Sequence, residues 1–229
     1  MTACRFDAVL IDFYGTISAG DRDAVAAACR RIVKTCKLPV AADDLAVIWG
    51  ERFFGLVDRS NGEAFQTLYE CEQVSLRETL AEFGVDTDPA PLVTELEAYW
   101  RNPPIQDDAA GFLEAVHCPV CCVSNADRAP LMTAVNGLRL RFDAVVTSQD
   151  ARCYKPAAEI FREALTAVGA TADRVVHIGD SLHSDIGGAA ALGITTIWVC
   201  RENRIHDIGA CRPTYKTADL AEALRIIDG

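Results

Sequence analysis

Apolar positions along this chain follow two different rhythms. At the N-terminal end, Asp7 to Asp12 reads as a short apolar strand that runs into a carboxylate, within the stretch Val-Leu-Ile-Asp-Phe-Tyr-Gly-Thr from Val9 to Thr16. Two glycines, Gly15 and Gly20, make the exit a hinge. Asp21 or Asp23 then caps a helix in which Val25, Ala28, Cys29, Ile32, Val33 and Cys36 recur at helical spacing, with Arg30, Arg31 and Lys34 off that stripe. Leu38-Pro39 ends it. A second helix begins near Asp43 and carries Leu45, Ile48, Trp49, Arg52 and Phe53. The spacing predicts a third from Glu63 to Phe83, closed by Gly84, and a fourth between Pro91 and Arg101. Residues 18–102 thus hold four helix signals and no convincing strand, the mark of an inserted helical subdomain.

Beyond Pro103-Pro104 the rhythm changes. Helices at Asp108 to Val116, Asp127 to Asn136, Ala157 to Val168 and Leu182 to Leu192 alternate with strands at Val120 to Ser124, Ala144 to Thr147, Val175 to Gly179 and Thr195 to Cys200. A last amphipathic helix follows from Thr217 to Ile227. Such alternation suits right-handed crossovers, so the expected class is α/β, with a parallel sheet covered on both faces. Residues 1–17 and 103–229 form the core in this reading, and 18–102 the insert.

The bulk numbers narrow the partners. Half of the 229 residues are hydrophobic, enough for a sizeable core, and 22 basic against 33 acidic residues give a formal charge of -11. That balance disfavours nucleic acid or an anionic membrane surface, although a local site for a small anion remains compatible with it. No apolar run approaches the roughly 20 residues of a membrane helix. Met1 to Arg5 leads straight into a strand rather than a secretory signal, so a cytoplasmic monomer or homodimer is expected. The ten cysteines fall mostly within apolar patterns, and Cys118-Pro-Val-Cys121-Cys122 has no second pair, so free buried thiols are expected rather than disulfides or zinc.

Chemistry collects at the strand ends. Asp12, Ser124-Asn125, Lys155-Pro156, and Asp180 with Asp185 all stand where a parallel sheet releases its chain at one edge. In that order the set resembles the haloacid dehalogenase superfamily, mostly phosphatases. Asp12-Phe13-Tyr14-Gly15-Thr16 looks like its first motif, Ser124-Asn125 its second, Lys155-Pro156 its third and Gly179-Asp180-Ser181 through Asp185 its fourth. The resemblance implies a Rossmann-like core with a helical C1 cap between the first and second motifs. Asp12 would be the nucleophile, forming an aspartyl intermediate. Thr16, Ser124 and Asn125 would hold substrate oxygens, and Lys155 would keep Asp12 ionised. Asp12, Asp180 and Asp185 offer hard oxygens suited to Mg²⁺, joined in the family by the main-chain carbonyl at Tyr14.

Tyr14 departs from the phosphatase pattern, which carries a second Asp there as general acid and base. It resembles instead the L-2-haloacid dehalogenases, which attack carbon without a metal. Those enzymes, however, carry Ser and Asn where this chain has Gly179-Asp180-Ser181, so the acidic pair Asp180 and Asp185 retained here favours a metal and a phosphoryl substrate. The expectation is therefore Mg²⁺-dependent hydrolysis of a small phosphate monoester, with Asp12, Lys155 and Tyr14 at the reaction centre. A metal-independent 2-haloacid dehalogenase and a non-catalytic phosphate-ligand binder are the alternatives. His183 or a cap residue is the candidate for the missing proton transfer. Arg52, three residues after Trp49, is the candidate grip for an anionic substrate, and Phe53, Phe54, Tyr69 and Trp100 are read as core.

Overall fold

The computed structural model describes residues 4–201 and 211–229. Met1, read with its neighbours as leading into the first strand, lies outside the described residues. Strand β1 (Ala8–Ile11) is followed by α1 (Asp21–Cys36), α2 (Ala42–Arg59), α3 (Leu68–Glu82) and α4 (Thr94–Arg101). Next come α5 (Ala109–Ala115), β2 (Val120–Ser124), α6 (Arg128–Gly137), β3 (Ala144–Thr147), α7 (Ser148–Ala151) and α8 (Ala158–Val168). The chain continues through β4 (Val175–Gly179), α9 (Gly188–Ala190), β5 (Thr195–Val199), β6 (Tyr215–Thr217) and α10 (Leu220–Asp228).

The strands make one sheet in the order β3-β2-β1-β4-β5-β6, with every neighbouring pair parallel. Alternation within each strand builds two cores. Val9 and Ile11 of β1 pack with Cys122, Ile178 and Ile197 beneath Phe112 of α5, Leu131 of α6 and Ala223 of α10. Ala8 and Leu10 face the other way, with Cys121, Val123 and Val175 against Ile160 and Phe161 of α8. A sheet buried on both faces explains why its strands read as continuous apolar runs. The helices α1 to α4 have a core of their own, in which Cys29 and Ile32 meet Leu45, Trp49, Leu76, Leu80 and Leu96.

Several elements differ from the periodicity: the helix expected from Leu182 to Leu192 is a wider π-type turn over Leu182–Gly187 leading into the three-residue α9, and the last helix starts at Leu220 because Thr217 belongs to β6. The third helix starts at Leu68 rather than Glu63, because Thr67 forms a capping box with Glu70 and residues Gly62–Ala64 make only a short turn. The fourth starts at Thr94, after a separate turn at Ala90–Leu92. Strand β6 has three residues, of which only Thr217 is buried, too short for an alternation signal. All ten cysteines are free thiols, and among the described residues no helix is long and apolar enough to cross a membrane.

The independent core of α1 to α4 makes a direct prediction. Leu80→Ala, at a fully buried site, should lower stability by about 2–5 kcal/mol, the usual range for such a truncation. Val47→Ala, at a residue 60% exposed on α2, should stay within about 0.5 kcal/mol. Urea unfolding of the two variants side by side measures the contrast.

Candidate active site

Asp12 leaves β1 at the centre of the sheet, its amide still bonded to Ile178 O at 2.9 Å. Strand order places β2 on one side of it and β4 on the other, which brings the ends of three strands together. Lys155 reaches in from the loop after α7. Its ammonium donates to Asp12 Oδ1 at 2.7 Å, Asp185 Oδ1 at 2.7 Å and Val123 O at 2.8 Å, so all three protons are used. The Asn125 side chain sets that reach: Lys155 N donates to Asn125 Oδ1 and Asn125 Nδ2 donates to Lys155 O. Asn125, read from sequence as a substrate contact, thus has both ends of its amide on the Lys155 main chain.

Asp185 has three neighbours. Besides Lys155, its Oδ1 meets His177 Nε2 at 3.0 Å, and its Oδ2 accepts from Ser181 N at 3.1 Å. His177 was not singled out from sequence, although a histidine in the apolar run Val-Val-His-Ile-Gly was the available signal. Gly179 permits the approach: a Cβ there would lie 2.2 Å from Asp185 Cγ. Thr16 donates to Asp180 Oδ1 at 3.3 Å. Oxygens of Asp12, Asp180 and Asp185 lie within 4.8 Å of one another.

The electrostatics are severe because every member is buried. Burial alone would deprotonate Lys155, yet Asp12 and Asp185 outweigh it and hold the ammonium above the ordinary lysine range. Burial would likewise raise Asp185, but Lys155 and His177 prevail and keep its carboxyl well below the usual carboxylate range. For Asp12, burial wins: Lys155 pulls its pKa down, Asp185 pushes it back up, and the net shift is upward. Three carboxylates crowd together while the one lysine pairs with two of them, and Asp12 Oδ2 is buried with no hydrogen-bond partner. Such an arrangement fits a hard divalent cation, whose charge would offset the surplus of carboxylates. Ser124 Oγ is also buried without a partner, beside the same strand end.

Tyr14 turns away from this cluster. Its hydroxyl donates to Trp100 O at 2.6 Å, and its ring packs edge-on against Trp100 with centroids 4.8 Å apart. Burial chiefly, then Tyr99, push its pKa far up, so the phenol stays protonated. Tyr14 borders a cavity of about 400 Å³ between the helical unit and the sheet edge, whose lining includes Tyr69, Glu72, Trp100, Ala126 and Asp127. Of the aromatics read as core, Phe53 packs on the α1–α4 core, Trp100 both packs there and lines the cavity, Tyr69 lines the cavity, and Phe54 is 65% exposed. Asp127 joins the two sides: its Oδ1 and Oδ2 accept from Leu68 N and Tyr69 N, at the N-terminus of α3. Arg52 is not among the cavity residues and pairs with Glu82 between α2 and α3. His183 is exposed and borders a second depression of about 250 Å³ with Lys155 and Asn61.

Two outcomes follow from Asp185. Gly179→Ala forces its carboxylate off Lys155, and breaking a buried pair costs about 3–5 kcal/mol; urea denaturation should show a loss of that order, and wild-type stability would show that the pair tolerates displacement. The folded-state pKa of Asp185 is depressed, so its contribution is complete above the unfolded value of about 3.9 and disappears as pH falls through the lower folded value. The stability gap between wild type and Asp185→Asn should therefore hold constant from neutrality to about pH 5 and close only below about pH 4. Urea midpoints across an acid series measure it.

Comparison with known proteins gives this geometry a lineage. Residues 6–193 match the family model of haloacid dehalogenase-like hydrolases. An (S)-2-haloacid dehalogenase of Pseudomonas sp. (strain YL) is 21% identical over 225 residues, 96% of this chain and 94% of that protein. A phosphoserine phosphatase of Thermus thermophilus is 34% identical over 86 residues, 38% of this chain, and the chain spans only 34% of that relative's length. The structure of the HAD-hydrolase YfnB from Bacillus subtilis, bound to magnesium, shares the fold with a TM-score of 0.79 at 23% identity, covering 98% of this chain and 100% of that one. Relatives of both chemistries therefore surround it, and the extent of the family match, with the strand-end residues it contains, decides the membership: the chain belongs to the haloacid dehalogenase-like hydrolases.

Proposed function

We propose that this hydrolase cleaves a small phosphate monoester through an aspartyl-phosphate on Asp12. The observation that carries the reading is the meeting of Asp12, Asp180 and Asp185 within 4.8 Å of one another, with a single lysine paired to two of them. Attack on carbon gains nothing from so many buried carboxylates, whereas a phosphoryl group with Mg²⁺ balances them. Asp12, Asp180 and the main-chain carbonyl of Tyr14 would hold the ion. Asp185, with one oxygen on both Lys155 and His177 and the other on Ser181 N, would join with its remaining lone pair. When bound, the cation supplies charge neutralisation at the phosphoryl oxygens.

The protein's own groups divide the remaining work. Lys155 holds Asp12 Oδ1, so Oδ2 is the oxygen without a protein partner at the reacting position. In-line attack by the Asp12 carboxylate on phosphorus forms the acyl phosphate and expels the ester oxygen, which leaves toward the cavity beside Tyr14. Ser124 Oγ, buried and unpartnered, would donate to a phosphoryl oxygen. Water then attacks the acyl phosphate, returning Asp12 and inorganic phosphate.

Tyr14 and the full-length similarity to a 2-haloacid dehalogenase favour a second reading, displacement of halide from carbon by the same Asp12. A panel of phosphate monoesters and 2-chloropropionate, each with Mg²⁺ or EDTA, separates the two. The expected result is phosphate release that needs Mg²⁺ and is abolished in Asp12→Asn. Halide release indifferent to EDTA would replace this reading with the second. Silence on both, with tight binding of phosphate esters, would make the chain a binder.

A further inference from the structure

The site as drawn lacks a proton carrier. Expelling an alkoxide needs an acid and activating water needs a base, yet the Tyr14 hydroxyl is committed to Trp100 O and stays protonated. His183 borders the other depression. Of the three carboxyls on the cavity beside Tyr14, Asp127 is held by the amides of Leu68 and Tyr69 and Glu97 is only half-buried, so Glu72 is the buried one that the reaction described above leaves unused. Glu72, in the second turn of α3, is 4% exposed and accepts from Trp100 Nε1 at 2.9 Å through Oε1. The carbonyl of the same Trp100 accepts a hydrogen bond from the Tyr14 hydroxyl, so one residue ties Glu72 to the chain segment that carries Asp12. The N-terminus of α3 is fixed to the sheet edge by Asp127, three residues beyond Ser124. Glu72 is therefore held on the wall of the cavity that Tyr14, Ala126 and Asp127, two or three residues past the ends of β1 and β2, also line.

We propose that Glu72 is the acid and base of this site, contacting the leaving-group oxygen of an ester seated in the cavity between α3, α4 and the sheet edge. The assignment rests on the phosphatase reading. In the first step the Glu72 carboxyl gives its proton to the ester oxygen as the P–O bond breaks and the Asp12–phosphorus bond forms. In the second, the Glu72 carboxylate takes a proton from water as that water bonds to phosphorus and the acyl-phosphate bond breaks, which restores both carboxyls. The protonation state agrees: burial raises Glu72 to about 8, the Trp100 N–H opposes, and Asp127 and Glu97 add to the rise. Tyr14, Tyr69 and Arg101 are the other titratable groups on the cavity wall. A carboxyl that exchanges its proton near neutrality suits both steps.

Two leaving groups of different basicity test it. With Mg²⁺ present, Glu72→Gln should lower turnover of glycerol 1-phosphate by about 10²–10⁴-fold, the usual worth of acid–base help. The first-turnover burst of p-nitrophenolate from p-nitrophenyl phosphate, whose leaving group needs no proton, should survive within about threefold, while its steady-state rate falls with the slow second step. Trp100→Phe keeps the carbonyl for Tyr14 but removes the N–H that favours the Glu72 carboxylate, so the limb of the kcat/KM pH profile near 8 should move upward, and Glu72→Gln should lack it. Melting curves of both variants show that they are folded. Equal loss of the burst and of glycerol 1-phosphate turnover, or loss of neither, overturns the role of Glu72 with the phosphatase reading intact. A wild type inert toward both esters fails that reading first, and the proposal with it.

Discussion

A single ammonium group, shared between two carboxylates and a main-chain carbonyl in the interior, is the constraint on which the rest of this structure depends. Lys155 has no exposure to water to speak of, so its charge is tolerable only while Asp12, Asp185 and Val123 O surround it. That requirement reaches outward. Asn125 must hold the lysine's main chain, Gly179 must lack a side chain so that Asp185 can approach, and His177 must sit in the strand below. The sheet order, with β1 between β2 and β4, brings these pieces to one edge. A buried ion cluster of this kind is weak evidence for stability in itself. Its value lies in fixing one oxygen of Asp12 and leaving the other to meet a ligand.

The junction between helices and sheet obeys a second constraint. An α-helix begins with unsatisfied amides, and a helix end facing another unit needs partners from that unit. Here Asp127 supplies them for α3, while Tyr154 donates its hydroxyl proton to Gln66 O and Asn61 accepts from Tyr154 N. The cavity wall is thereby defined by hydrogen bonds as well as by apolar contact. Its carboxylates outnumber Arg101, and Arg52 stays engaged with Glu82. A wall of that sign suits a leaving group that donates hydrogen bonds better than one that carries a carboxylate.

Tyr14 acquires a different meaning in this setting. At the position where related phosphatases are expected to carry a proton-transferring acid, it instead anchors α4 to the exit of β1 through Trp100 O. The residue that marks the departure from the phosphatase pattern thus acts between the two parts of the molecule. Proton transfer, on the phosphoryl route proposed above, falls to another residue of the same cavity wall.

Much of this was legible from the order of residues alone. The alternation of strands and helices is encoded in local apolar periodicity, which determined the α/β class and the run of helices between β1 and the later strands. A polar residue at the end of an apolar strand is a local signal too, which marked Asp12, Ser124 and Asp180, while Lys155 and Asp185, several residues past their strands, were named from the order of the four motifs. Glu72, Asp127 and His177 were not, because each looks ordinary in its own segment: a helix glutamate, a helix-start aspartate, a strand histidine. Their burial and partners arise from contacts across 28, about 58 and 8 residues. Arg52 illustrates the converse, since its helical register was readable but its partner across the helix pair was not. The sequence by itself determined the α/β class, the helices, five of the six strands and the position of Asp12 at a strand end, since these follow from short-range periodicity. Only the tertiary structure decided which carboxyl is buried, which is paired and which faces the cavity, because desolvation and charge pairing depend on what the fold brings near.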